Sequence, residues 1–290
     1  MKIGIVTDST ADLNQKILDK YDIEVVPLSV NFNNEVYIDG VDLNAKEFFI
    51  KLKEADKLPK TSQPSLKSFE NKYNEMKDKY DKILSIHVSD GLSGTYKTAT
   101  KAASKINNVE TFDSASISLG LGFFVLLAAK LTNKLNSINE IVEKLEEAKN
   151  NLLLYFTVDD MEYMKKGGRI GKAKAMLGSI LNINPIISIS TETGKVLPLD
   201  KTRGKKRTTK KMLELALEKL DKTNKAWLGF AHGDRFNDMD NFKEKLISEV
   251  NDNLNYKTFT TRISPTLGCH VGPSVYAVII LNLDFIDNLI

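Results

Sequence analysis

The chain has 290 residues, 42% of them hydrophobic, which is enough for one large α/β domain or two ordinary ones and excludes wholesale disorder. With 41 Lys and Arg against 38 Asp and Glu, the net charge is only +3, so global charge selects neither nucleic acid nor membrane as a partner. A single cysteine, Cys269, excludes an internal disulfide and suits a reducing compartment.

From the N-terminus, Met1 to Asp8 brings an acidic residue before a signal-peptide core can form, and the apolar uncharged run Ser114 to Ala129 is too short to span a bilayer. The expectation is a soluble, cytoplasmic protein. Lys2–Thr7 predicts a strand, Ala11–Tyr21 a helix and Val25–Val30 a second strand, followed by polar, turn-rich sequence through Asp42. Leu66–Tyr80 is helix-prone, Lys82–Val88 a strand, Thr95–Ile106 a helix, Val109–Phe112 a strand and Ser116–Leu131 an apolar helix. Ile138–Asn150 carries Ile141, Val142 and Leu145 at helical spacing. This alternation predicts a mostly parallel sheet flanked by helices over residues 1–155.

Beyond Leu152–Val158 the texture changes. Pro185–Ser190 and Val196–Leu199 flank the turn Thr191-Glu192-Thr193-Gly194, where glycine supplies a positive φ. A charged helix over Lys205–Leu220, a strand at Ala226–Ala231, a helix at Phe242–Val250 and strands at Lys257–Ile263 and Val275–Leu281 complete the chain. The fold class expected is therefore α/β with two domains, 1–155 and a C-terminal α+β domain over 156–290, and a cleft at their junction.

Three polar loops adjoin strand ends or irregular sequence: Thr7 to Asp12, Thr61 to Ser65, and Ser89 to Thr95. Hydroxyls and backbone N–H groups at helix starts suit an anion, and the same residues also serve as plain helix caps. Ser264 to Pro273 sets His270 between glycines, where it can either donate to an oxyanion or form part of a structural turn. His87 and His232 read as structural. Cys269 has no identified catalytic partners. Gly91-Leu92-Ser93-Gly94-Thr95 misses the Gly-x-Ser-x-Gly elbow by one place. Three dispersed histidines and one cysteine give no metal-ligand spacing, and Walker and dinucleotide fingerprints are absent. No metal, cofactor or catalytic residue is therefore expected. Two basic runs, Lys165 to Lys174 and Arg203 to Arg207, read as solvated faces or as docking surfaces for an acidic or phosphate-bearing partner. Nucleic acid is disfavoured because aromatics are not interleaved with them.

Taken in order, Val6-Thr7-Asp8-Ser9-Thr10-Ala11-Asp12-Leu13, Thr61-Ser62-Gln63-Pro64-Ser65, Ser89 to Thr95, Asp113-Ser114, Lys166 to Ile170, Arg203-Gly204-Lys205 and Gly268 to Pro273 resemble the DegV family of bacterial fatty-acid-binding proteins. The family commonly has Gly where this chain has Ser274. The resemblance implies a two-domain fold enclosing one long-chain fatty acid, its carboxylate at the domain junction and its acyl chain in an apolar tunnel. It implies that Thr61, Ser62, Ser93, Gly94 and His270 surround the carboxylate. Arg169 and Arg203 would then belong to the surface recognised by a separate fatty acid kinase of the dihydroxyacetone-kinase-like type, which makes the acyl phosphate for phospholipid metabolism. Transient membrane contact during ligand exchange is compatible with that role. Leu119, Leu121, Phe123, Phe124, Leu126 and Leu127 are candidates for tunnel walls or for ordinary core. A hydrolase or phosphatase using Ser93 and His270 is the alternative reading.

Overall fold

A computed structural model describes residues 1–33, 35–176, 183–286 and 289. All six residues of β1 (Ile3–Asp8) are buried, as a strand covered on both faces requires. A 3₁₀ turn at Ser9–Ala11 follows, and Asp12 takes a left-handed conformation (φ 50). The predicted helix from Ala11 consequently starts later, as α1 (Gln15–Tyr21), capped by Asn14. The strand expected over Val25–Val30 is two strands, β2 (Ile23–Val26) and β3 (Ser29–Phe32), in different sheets. Pro27, which has no N–H for a ladder, stands between them.

β4 (Glu35–Ile38), α2 (Ala45–Glu54) and β5 (Lys60–Ser62) occupy sequence that reads as irregular. A capping box between Asn44 and Glu47 starts α2, which buries Phe48, Phe49 and Leu52. There follow α3 (Leu66–Met76), β6 (Lys82–His87), α4 (Thr95–Ala103), β7 (Val109–Asp113), α5 (Leu119–Leu131) and α6 (Ile138–Asn151). Strands β2-β1-β6-β7 form one sheet, parallel throughout, and β4-β3-β5 a small antiparallel one.

The remainder builds a mixed sheet ordered β10-β9-β8-β13-β11-β12. Its strands are β8 (Leu152–Thr157), β9 (Ile183–Ile189), β10 (Val196–Arg203), β11 (Lys225–His232), β12 (Asn255–Arg262) and β13 (Tyr276–Asn282). All pairings are antiparallel except β11 with β12, and β10 carries a bulge between Pro198 and Asp200. Its helices are α7 (Glu162–Lys166), α8 (Lys205–Leu220), α9 (Phe236–Glu249) and α10 (Pro265–Val271). Residue 155, the expected boundary, lies within β8. α9 begins ahead of the expected Phe242, and α10 stands where a glycine-flanked turn is expected.

Two sheets share α5. Twelve of its thirteen residues are buried, all but Lys130, because it packs on β1 and β6 on one side and on β8, β11 and β13 on the other. A helix apolar all round finds its explanation in that position. Along β13, Ala277, Ile279 and Leu281 face the cluster containing α5, while Tyr276, Val278 and Ile280 face α8 and α9. Among the described residues, no helix is long and apolar enough to cross a membrane.

Candidate functional site

The parallel sheet changes direction between β1 and β6, since β1 leads to β2 on one side and the chain returns to β6 on the other. Open α/β sheets bind ligands at the carboxyl ends of the strands beside such a switch point. A cavity of about 360 Å³ lies there, closed from the opposite side by the mixed sheet. That volume falls in the range of small-molecule sites.

Each wall has a structural origin. Thr10 follows β1, and Val88, Leu92 and Ser93 follow β6. Leu28, Thr61, Ser62 and Gln63 come from the small sheet and its flanks, and Ile117 and Ser118 from the approach to α5. The mixed sheet contributes Leu154, Phe156, Ala231 and Ala277, with Ile189 and Val196 at the base of its hairpin. α10 presents Thr266, Leu267, His270 and Val271, and the segment after α7 presents Arg169.

Thr61, His270, Arg169 and Ser93 are linked into one polar end, while Thr10, Ser118 and Thr266 belong to separate buried clusters. Thr61 Oγ1 lies 2.9 Å from His270 Nε2, joining β5 to α10 across 209 residues of sequence. The other ring nitrogen, Nδ1, is buried and has no hydrogen-bond partner among the described residues. Gly167 leaves room for it, since a Cβ there would stand 2.5 Å from Nδ1. Burial, and then the Arg169 guanidinium, push the His270 imidazole down to about 4, so it is neutral at neutral pH and carries one N–H. Ser93 Oγ is 2.9 Å from Thr95 Oγ1 in the turn that starts α4. Arg169 Nε donates to the Leu92 carbonyl at 3.2 Å and Nη1 to that of Gly167 at 2.8 Å, so its side chain bridges the two sheets' loops.

Thr61, Ser62, Ser93 and His270, expected around one ligand, therefore all line this cavity. Gly94 does not. It precedes α4, and its missing Cβ makes room for the Gln63 side chain, whose Oε1 would be 2.3 Å away. Arg169, expected on a docking surface, is exposed and also lines the cavity, whereas Arg203 is exposed at the end of β10 and does not. The six α5 side chains named as tunnel candidates are core, not lining. Sequence reasoning did not single out Gln63, Thr10, Ser118 and Thr266, although all but Ser118 stood inside segments that it had marked for the site.

Arg169 is the one charged residue among the described residues lining the cavity, and no carboxylate lines it. The site thus offers hydroxyls, an imidazole and a guanidinium to an anion, with an apolar chamber behind them. No hydrogen bond joins Ser93 to His270, whose Nε2 is engaged by Thr61. Cys269 is buried, burial pushes its thiol up, and it is not among the lining residues. No group of three potential metal ligands occurs among the described residues.

Two buried polar clusters adjoin the cavity wall at Thr10, Ser118 and Thr266. Asp8 accepts from Thr10 N and Val88 N at 3.0 and 2.9 Å and meets His87 Nδ1 at 3.0 Å. His87 Nε2 continues to Ser85 Oγ at 2.7 Å and Ser85 to Tyr73 OH at 2.8 Å. The set imitates a Ser-His-Asp relay, but Ser85 is wholly buried and does not line the cavity. The second cluster anchors α10: Asp12 accepts from Ser264 N at 2.8 Å and Ser118 Oγ at 2.5 Å, and Asp39 accepts from Thr266 N at 3.3 Å and Ser9 Oγ at 3.0 Å. Burial above all pushes these carboxyls up, Asp12 to about 7 and Asp39 to about 6.

Comparison with known proteins gives a consistent result. A family model described as "Uncharacterised protein, DegV family" matches residues 2–283. Protein DegV of Bacillus subtilis is 32% identical over 282 residues, covering 96% of this chain and 98% of that protein. A DegV family protein from Thermus thermophilus, whose structure is described in terms of fatty acid binding, superposes with a TM-score of 0.91 at 30% identity, covering 98% of this chain and 100% of the other. The structure of Bacillus subtilis DegV, described as a fatty acid binding protein, gives a TM-score of 0.89 at 30% identity over 97% and 99% of the two chains.

Proposed function

Because the chain belongs to the DegV family, we propose that it binds one long-chain fatty acid in the cavity and presents its carboxylate to a separate fatty acid kinase. The observation that carries this reading is the pairing of an apolar chamber with a polar end that holds Arg169, His270, Thr61 and Ser93 and no acid. A carboxylate there takes charge-assisted hydrogen bonds. The acyl chain supplies most of the affinity, at about 0.8 kcal/mol per buried methylene.

In this reading the protein is a carrier. Ser93 has no hydrogen-bonded base, so a hydrolase using Ser93 and His270 finds no support in the geometry. Arg203 and the lysines that open α8 supply a basic face for the kinase, and Arg169 both completes the pocket and reaches its rim.

Mass spectrometry of an organic extract of the protein purified from a bacterial host tests the ligand class. A bound fatty acid is expected; no lipid, with no uptake of added oleate or palmitate, overturns the proposal. Arg203→Ala is expected to bind palmitate normally and to slow phosphorylation by a purified fatty acid kinase. Loss of binding in that variant would refute the division of roles.

A further inference from the structure

The register of the mixed sheet sets two alanines side by side in the cavity floor. On the face turned to α5, Phe156, Ala277 and Ala231 stand in one row across β8, β13 and β11, and all three line the cavity. In the adjacent row, Leu154, Ile279 and Gly229 are aligned, and only Leu154 lines it. There α5 covers the sheet. A Cβ on Gly229 would lie 3.0 Å from the Phe123 ring and 3.1 Å from Leu119 Cδ1. Phe123 is itself held edge-on by Trp227 and Phe259, at centroid distances of 5.6 and 5.2 Å. On β13 and β11 the chamber therefore crosses the alanine row and stops short of the next one, reaching that row only at Leu154 of β8.

We infer that Ala231 and Ala277 set the length of acyl chain that this cavity accepts. The inference rests on the fatty acid reading of the site. Elsewhere on this face the same strands carry Ile279, Leu281 and Trp227, and the space over Gly229 is taken by Phe123 and Leu119, so the paired alanines are the place where floor is left open. Both are buried, at 0% and 7% exposure, whereas Ser62, Gln63 and Arg169 at the rim are exposed. A leucine at either position adds three carbons and takes up the room of about three methylenes. The longest chain that the wild type holds would lose burial of those methylenes and bind roughly 50-fold more weakly. A chain shorter by that length would keep its affinity, because Thr61, Ser93 and His270 belong to other elements.

The test compares wild type, Ala231→Leu and Ala277→Leu, with Ala231→Val and Ala277→Val as smaller additions where leucine prevents folding. Captured lipids are identified by mass spectrometry, and affinities for laurate, myristate and palmitate are measured on delipidated protein. The expected result is a captured pool shifted to shorter chains, with palmitate weakened far more than laurate. An unchanged chain profile in folded variants, or equal weakening at every length, overturns the inference and leaves the fatty acid reading standing. A wild type that captures no lipid and takes none up overturns that reading and the inference with it.

Discussion

Replacing Asp12 by Asn should remove a defined part of the pH dependence of stability. Asp12 is 8% exposed, and burial, reinforced by Asp39, outweighs its hydrogen bonds from Ser118 and Ser264 and pushes its carboxyl from 3.8 to about 7. A carboxyl with a higher pKa folded than unfolded keeps its proton longer in the folded chain. Between those two values the native state binds more protons, so stability falls as pH rises through the window and is level above it. From pH 5 to pH 8 the titration covers about two pKa units, or about 3 kcal/mol. Asparagine keeps an acceptor for Ser264 N–H and offers its NH₂ to the Ser118 oxygen, whose hydroxyl can rotate. Asp39, raised to about 6, titrates in both proteins and cancels to first order. Urea unfolding followed by Trp227 fluorescence at the two pH values measures the effect. Wild type should lose about 3 kcal/mol more than Asp12→Asn between pH 5 and pH 8; parallel profiles would refute the electrostatic account of this anchor.

Further expectations can be checked with the same protein. His270→Ala or Ser93→Ala should weaken palmitate binding about tenfold or more, the worth of a hydrogen bond to a charged group, as read by calorimetry. Affinity unchanged in both would separate the cavity's polar end from the ligand. The His270 imidazole is pushed down from 6.5 to about 4, so between those values the unfolded chain binds the extra proton and stability is lost as pH falls. His270→Asn should show a shallower acid limb, and an identical limb would contradict the burial of this ring. Gly194→Ala combines φ +64 with a Cβ 1.9 Å from Ser89 Oγ, whereas Gly168→Ala has φ +71 and nothing within 4 Å. The first should cost about 2–4 kcal/mol and the second about 1 kcal/mol in thermal unfolding, and equal losses would show that the contact between hairpin and loop is soft. Tyr73→Phe should cost about 1–2 kcal/mol by removing the hydroxyl from the buried Ser85–His87–Asp8 chain; no measurable loss would mean that Ser85 finds another partner.

Long periodic segments were legible. The charged helix over Lys205–Leu220 has the bounds of α8, and the apolar runs of β6 and β13 are strands within a residue or so, because alternation or continuous burial leaves a signal in composition. Short elements were not. α10 has seven residues, among them Pro265 and Gly268, too few to display a helical period, and its stability comes from Asp12 and Asp39 far away in sequence. α2 did announce itself through Asn44 and Glu47, a capping signal that the polar surroundings obscured. For the site, the motifs Thr61-Ser62 and His270 gave residue types, and only the family resemblance implied their meeting, which depends on β5 and α10 packing together. Arg169 sat in a run of lysines that reads as solvated, and only the contact with the Leu92 carbonyl brings it to the cavity. The paired alanines carry no sequence signal at all, since register across strands is a tertiary property.

Among the described residues the mixed sheet ends at β10 and β12, with the 3₁₀ segment Gly171–Met176 packed against β10, and unpaired backbone at a sheet edge invites further strands from other chains. On β10 the ladder is interrupted between Pro198 and Asp200, and Pro198 has no N–H to offer. Asp200, Lys201 and Arg203 follow, with Lys201 and Arg203 exposed. On β12, Lys257 is likewise exposed. A neighbour approaching either margin meets charge or a broken hydrogen-bond register, so growth of the sheet into a cross-chain ribbon is blocked at its borders.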